Sequence, residues 1–290
     1  MSARTVGLLH PGAMGSTIGR AILSSGHRIL WASEGRSRAT RERAGVEGFE
    51  EVRTLADLCV QSDAIVSVCP PHGAAQLAET VAGTGYRGIY VDANAIPPAL
   101  AGRIRDLIVA AGGDYVDGSI IGPPANESGT TRVYLSGTGA ASVAELFVSG
   151  AADAVVLDGH FAAASALKMV YAAFTKGSAA LLLAVVGAAG ALGVDEALRA
   201  EWAMSIPDLP ARSDRLLEYS GRKAWRFEGE MQFISETFER AGLPGGFHSA
   251  AAEVYGRIAG QVDESFPVSH RRTLTDLLNA PESPSFDPTG

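Results

Sequence analysis

Along roughly the first 160 residues, short apolar runs alternate with longer segments whose apolar positions recur at helical spacing. The runs at residues 6–9, 28–32, 64–69, 88–91, from 116 onward, 133–135 and 154–157 predict buried strands. Between them, residues 16–25, 73–82 and 98–111 predict crossover helices, the arrangement of a parallel α/β sheet. The pattern changes near Gly159. Residues 159–193 are alanine-rich and helical in pattern, and residues 195–204, 213–220, 227–241 and 247–261 predict further helices. From about Asn279, three prolines with Ser, Asp and Gly predict a loose end. The chain therefore divides into a sheet domain at 1–159, a helical domain at 160–280 serving substrate binding and dimerisation, and a flexible tail at 281–290. The 290-residue length suits two domains. No internal repeat and no sustained heptad is visible.

The first strand runs into His10-Pro11-Gly12-Ala13-Met14-Gly15 and then a helix. In a dinucleotide-binding fingerprint G-x-G-x-x-G, the middle glycine lets backbone approach a pyrophosphate and the last lets helix and strand pack closely. Gly12 and Gly15 take those two places, and His10 stands where the first glycine would. A bare G-x-x-G is common in proteins that bind no nucleotide. Its place between a strand and a helix, with a second strand following, closes a βαβ unit and predicts a Rossmann-like, doubly wound sheet whose residues 10–15 hold a cofactor. The fold class is thus α/β, with an all-α C-terminal domain joined by a long interdomain helix.

With 47% hydrophobic and 19% charged residues a large core is available, and a net charge of −8 disfavours nucleic acid or an anionic membrane surface as the partner. A small molecule is the better expectation. Cys59 and Cys69, without a histidine cluster, predict neither a disulfide framework nor a metal site, and fit a reducing cytoplasm. The N-terminus enters a buried strand at once, so no secretory leader is expected. Residues 177–193 carry no charge, but at seventeen residues rich in Ala and Gly they read as a buried helix rather than a bilayer span.

Cofactor choice falls to the loop after the second strand. A carboxylate there would hold a ribose 2′-hydroxyl, whereas cations and hydroxyls would hold a 2′-phosphate. Ser33, Arg36 and Ser37 stand there, with Arg38, Arg41 and Arg43 close behind, which favours NADPH over NADH. Glu34 dissents, and the same arginines would also make a solvated helix face. Cys69 and Pro70 after the third of these strands, and Asn94 after the fourth, occupy carboxyl-end loops where ligands gather in such sheets.

With these motifs in view, the chain resembles the β-hydroxyacid dehydrogenase and 6-phosphogluconate dehydrogenase superfamily, and more closely its branch with a phosphogluconate dehydrogenase-like helical C-terminal domain. Residues 6–15 match its cofactor motif except at His10 and Pro11. Residues 90–97 match its V-D-x-S-T-x-x-P loop, with Asn94 and Ala95 replacing the hydroxyls, and residues 117–137 match its substrate loop. Where the superfamily has Ser-Gly-Gly to grip a carboxylate, this chain has Ile121-Gly122-Pro123, so the resemblance leaves Ser119 or the Gly122 amide to stand in. Lys168 aligns with the catalytic lysine. The asparagine expected four residues on is Ala172, with Tyr171 before it, and Lys168, Tyr171 and Thr175 share a helix face. Residues 225–248 resemble the branch's C-terminal signature and include His248, which reads either as a substrate-facing switchable group or as a satisfied structural histidine.

The resemblance implies an NADPH-dependent oxidoreductase that interconverts a small hydroxylated compound, a hydroxy acid, with its carbonyl form. Lys168 would be the general acid or base, with Tyr171 beside it and Ser119, Gly122, Lys168 and His248 binding substrate. An imine reductase of the same architecture, and a nicotinamide-binding sensor without chemistry, are the alternatives. The apolar interdomain helix predicts a homodimer.

Overall fold

The computed structural model describes residues 2–259. The apolar runs are strands of one eight-stranded sheet: β1 (Thr5–Leu9), β2 (Arg28–Ala32), β3 (Glu50–Val52), β4 (Ala64–Ser67), β5 (Ile89–Asp92), β6 (Asp114–Ile121), β7 (Thr131–Ser136) and β8 (Ala152–Val156). Their order is β3-β2-β1-β4-β5-β6-β7-β8, and every neighbouring pair is parallel except β6 and β7. The order reverses between β1 and β4, which is the switch point where doubly wound sheets bind ligands. Central strands are buried on both faces, so their apolar residues run on without alternation; all of Ala64–Ser67 is buried.

The crossovers are α1 (Ala13–Ser24), α2 (Arg38–Val46), α3 (Leu55–Gln61), α4 (Ala74–Gly83) and α5 (Pro98–Ala110), and the short α6 (Ala140–Ala144) follows β7. Val6, Leu8, Ile18, Ile22, Ile29, Val66, Val91 and Val116 are among the residues of one continuous core between sheet and helices. Two pieces of this domain carry no readable apolar run. β3, Glu-Glu-Val, is an edge strand with two exposed glutamates, and α2 buries only Ala44.

Four helices follow: α7 (Ala163–Ala191), α8 (Asp195–Ser205), α9 (Leu209–Arg240) and α10 (Gly246–Ile258). The expected helices at 213–220 and 227–241 are one helix, α9, of 32 residues. The glycine at 221 lowers helix propensity by about 1 kcal/mol, and buried Ser213 and Ala224, Phe227, Met231 and Ile234 on its two sides outweigh that. The expected extension of the last helix to 261 and the tail at 281–290 lie outside the described residues. The described residues divide into two compact units between Met169 and Val170, within α7, where the sequence places the boundary at 159. α7 is long and apolar enough to cross a bilayer by length and composition alone, and 44% of its most apolar window is buried.

Candidate functional site

The end of β1 makes a tight turn into α1. Gly12 is the N-cap of that helix with no side-chain cap, so the first-turn amides are left for a ligand or water. His10 takes φ +66°, the left-handed conformation that the missing glycine would adopt freely, and its carbonyl accepts from the Gly12 amide at 2.7 Å. A Cβ on Gly15 would stand 2.3 Å from that same carbonyl oxygen, so only glycine lets the helix approach the turn this closely. Pro11, Ala13 and Met14 fill out the loop.

Beyond β2, Ser33 is buried and Glu34 exposed. Ser37 caps α2, its Oγ accepting from the Thr40 amide at 3.3 Å. The four arginines have separate tasks. Arg38 pairs with Glu42 on the exposed helix face. Arg41 donates to the Ser33 carbonyl at 2.8 Å and pairs with Glu51 at 3.6 Å, and Arg43 Nε donates to the Pro11 carbonyl at 3.4 Å, so these two brace the loops. Arg36 Nε is buried with no hydrogen-bond partner, and burial lowers its pKa. His10 Nδ1 is likewise buried without a partner, and burial together with the Arg36 charge takes its pKa down to about 4. These unpartnered nitrogens near uncapped helix amides fit an anionic cofactor with a phosphate at this loop.

Across the carboxyl ends of the middle strands runs a buried polar row, in register: Ser67 beside Asp92, Asp92 beside Asp117, Asp117 beside Ser136. All four are wholly buried. Asn94 ties two of the loops together, accepting from the Cys69 amide at 2.6 Å and donating to Ser67 Oγ at 3.0 Å. Cys69 and Pro70 thus sit beside the switch point, but burial, with Asp92 near by, pushes the Cys69 thiol up to about 12, so it is no nucleophile. Asp92 Oδ1 accepts from the Asn94 amide at 3.0 Å while Oδ2 has no partner; burial, and Asp117 next to it, raise its pKa to about 7.

Asp117 holds the start of α7. Its Oδ2 accepts from the Ser165 amide at 2.8 Å and its Oδ1 from Ser165 Oγ at 2.6 Å, and Ser136 Oγ accepts from the Ala164 amide at 3.0 Å. Side chains from β6 and β7 therefore satisfy helix donors that a preceding Ser or Asp would satisfy in a local cap. Burial raises the Asp117 pKa to about 6 against the pull of these hydrogen bonds. One turn later Lys168, part-buried, donates from Nζ to the Ile120 carbonyl at 2.7 Å. It is one of three lysines, with Lys176 and Lys223, among 24 basic residues, so its place is not an accident of a lysine-rich surface.

The loop after β6 is stitched to α1: the Ala125 amide donates to Thr17 Oγ1 at 2.9 Å, and Arg20 donates to the Ala125 carbonyl at 3.2 Å and to Asn126 Oδ1 at 2.7 Å. Gly122 takes φ +134°, and a Cβ there would lie 2.3 Å from the Thr130 carbonyl oxygen. Ser119 is wholly buried in β6 and its Oγ has no partner. In the second unit Tyr171 is 48% exposed, Lys176 forms an ion pair with buried Glu230, and His248 is buried. The His248 ring packs edge-on against Phe238 and Phe247, its Nδ1 has no partner, and burial lowers its pKa.

Sequence reasoning overlooked Ser67, Asp92, Asp117, Ser136 and Ser165. A signal existed. Three apolar runs, Ala-Ile-Val-Ser, Ile-Tyr-Val-Asp and Tyr-Val-Asp, each end in a polar residue, and a small polar residue closing a buried strand needs a partner across the sheet.

Set against known proteins, residues 189–258 match a domain of unknown function, DUF1932. An uncharacterised 28.5 kDa protein in the 7S RNA 5′ region of Methanothermus fervidus is 32% identical over 166 residues, 57% of this chain but only 63% of the relative's length. Among solved structures, the conserved protein MTH1747, of unknown function and with structural similarity to 3-hydroxyacid dehydrogenases, is 26% identical with TM-score 0.67, over 89% of this chain and 97% of its own. The Mycobacterium tuberculosis 3-hydroxyisobutyrate dehydrogenase with L-serine is 14% identical with TM-score 0.69, over 96% and 100%. This chain has the fold of the 3-hydroxyacid dehydrogenases. The fold and the DUF1932 match agree with the 6-phosphogluconate dehydrogenase-like resemblance. An imine reductase from Myxococcus stipitatus in complex with NAD+ is 22% identical with TM-score 0.55, over 96% and 100%.

Proposed function

We propose that the chain is an NADPH-dependent oxidoreductase interconverting a small hydroxylated compound, a hydroxy acid, with its carbonyl form. Dehydrogenases and reductases that use nicotinamide share this fold, and a nicotinamide cofactor fits the unpartnered nitrogens at the glycine loop. The observation that carries the chemistry is Lys168, whose ammonium is fixed 2.7 Å from the Ile120 carbonyl on a helix start clamped by Asp117. When bound, the cofactor gives or takes a hydride. The residues do the rest. Residues 10–15 cradle the pyrophosphate, Arg36 takes the 2′-phosphate with Ser33 and Ser37 beside it, and Cys69, Pro70 and Asn94 shape the switch-point floor. Lys168 gives a proton to the carbonyl oxygen on reduction, or removes it from the hydroxyl on oxidation. Tyr171, Ser119, the Gly122 amide and His248 are the remaining candidates for contact with substrate. A cytoplasmic setting suits the free thiols of Cys59 and Cys69.

The test is NADPH oxidation on addition of a panel of 2- and 3-oxo acids and cyclic imines, with Lys168→Met beside the wild type. We expect oxo acids to stimulate oxidation, and the variant, which keeps the aliphatic length, to lose about 10²- to 10⁴-fold in turnover while binding NADPH within a few-fold of wild type. Its pH profile should lack one limb. Stimulation by imines alone would make the enzyme an imine reductase, and tight NADPH binding with no turnover of either class would make it a sensor.

A further inference from the structure

His10 is the one non-glycine residue with positive φ among the described residues, and it occupies the glycine-loop position where a glycine would be free of strain. A non-glycine side chain held in that region is strained, and such residues cluster where a ligand is gripped. Its imidazole sits at the carboxyl end of β1, next in the sheet to β2, whose following loop bears Arg36. Nδ1 of His10 and Nε of Arg36 are both buried and both lack partners. The other charged or titratable groups here are Arg43 of α2, whose Nε reaches the Pro11 carbonyl, and the Cys69 thiol after β4, within electrostatic reach of Arg36. Arg36 makes no ion pair among the described residues. Two nitrogen groups of one prospective charge thus lie within electrostatic reach of each other, and neither pairs with an acid among the described residues, an arrangement that is unfavourable alone and becomes favourable around an anion.

We propose that His10 and Arg36 together seat a phosphate monoester dianion, and that filling the seat gives His10 a proton. The inference rests on the reading that a 2′-phosphorylated cofactor docks at this loop. The proton comes from solvent and forms an N–H on the imidazole, so phosphate meets an imidazolium and a guanidinium. In the free protein burial, and then the Arg36 charge, keep His10 neutral down to about pH 4. A dianion beside it reverses the sign of the local field and raises that value. Selectivity for the phosphorylated cofactor then becomes proton-linked, growing as pH falls towards 6.5.

Histidine-labelled protein allows a direct test, since the chain has six histidines. The imidazole resonance of His10, identified by its loss in His10→Asn, would be followed from pH 5 to 8 in the free wild type, with 2′,5′-ADP and with 5′-ADP. We expect His10 neutral throughout in the free protein and with 5′-ADP, and titrating with a midpoint of about 6 to 7 with 2′,5′-ADP. Asparagine tolerates the left-handed conformation and keeps a donor but does not titrate. The wild-type preference for 2′,5′-ADP over 5′-ADP should therefore grow about twofold from pH 8 to 6.5, whereas that of His10→Asn should not grow. If 2′,5′-ADP binds more tightly than 5′-ADP yet His10 stays neutral, the proposal falls and the cofactor reading stands. If the two nucleotides bind alike, or neither binds, the cofactor reading falls and takes the proposal with it.

Discussion

Arg36 Nε and Asp92 Oδ2 are both buried atoms without a hydrogen-bond partner, and the consequences differ because one lies at a ligand loop and the other inside the sheet. Truncating Arg36→Ala should raise the dissociation constant for NADPH far more than that for NADH, since only NADPH brings the 2′-phosphate. A charge-assisted hydrogen bond of this sort contributes about 1.5 to 3 kcal/mol, or roughly one to two decades in affinity; equal weakening of both cofactors would exclude the assignment. Asp92 predicts a pH effect on stability instead. Its pKa is raised to about 7 in the folded chain, by burial and then by Asp117, so folding prefers the protonated acid. The stability this lends is complete below about pH 4, the value of an ordinary carboxylate, and is lost as pH rises through 7. Thermal midpoints should fall from pH 5 to 8, and the fall should be smaller in Asp92→Asn, which keeps an acceptor for the Asn94 amide. An unchanged slope would mean that Asp92 is ionised in the fold. His10 acts in the opposite direction: its lowered pKa subtracts stability as pH drops from about 6.5 towards 4.

Among the elements, α7 decides the most, and its first turn is held by strands of the sheet. Its first turn depends on Asp117 and Ser136, which lie 48 and 28 residues away from the amides they accept. In Asp117→Ala the Ser165 amide and hydroxyl lose their acceptor, and a buried unsatisfied donor costs about 1 to 3 kcal/mol. We expect a thermal midpoint lower by several degrees and faster amide exchange at Ser165, with slower exchange retained in α5; a global rise in exchange would show instead that the sheet itself had loosened. Glycine and alanine make the rest of the helix apolar without making it bulky. The strand ends and the glycine loop were legible in the sequence because buried parallel strands and tight turns leave uninterrupted apolar runs and glycines. The cap of α7 was not, because its acceptors come from strands distant along the chain. Nor was β3, whose exposed edge demands no apolar residues.

For the whole molecule we propose a homodimer built on α7. Val170, Phe174, Leu181 and Val185 on this helix are 52%, 74%, 52% and 36% exposed, which is unusual for so many large apolar side chains on one helix. Ala188 is exposed on the same helix, so Ala188→Glu leaves the unit's own packing in place and should shift the sedimentation coefficient towards a monomer, because a buried unpaired charge is expensive. A wild type that sediments as a monomer at micromolar concentration would exclude the dimer.

The sequence by itself determined the α/β class, the succession of the main strands along the chain and the glycine loop, since each follows from local periodicity or from a motif only a few residues long. Only the tertiary structure decided which arginine lacks a partner, since Arg41 and Arg43 are taken up by Glu51 and loop carbonyls that sequence spacing does not bring together, while Arg38 pairs with Glu42 one helical turn on. It alone aligned Ser67, Asp92, Asp117 and Ser136 across four strands and set His10 beside Arg36. Register and burial are properties of the assembled sheet, and the charge state of a buried group follows from them rather than from its neighbours along the chain.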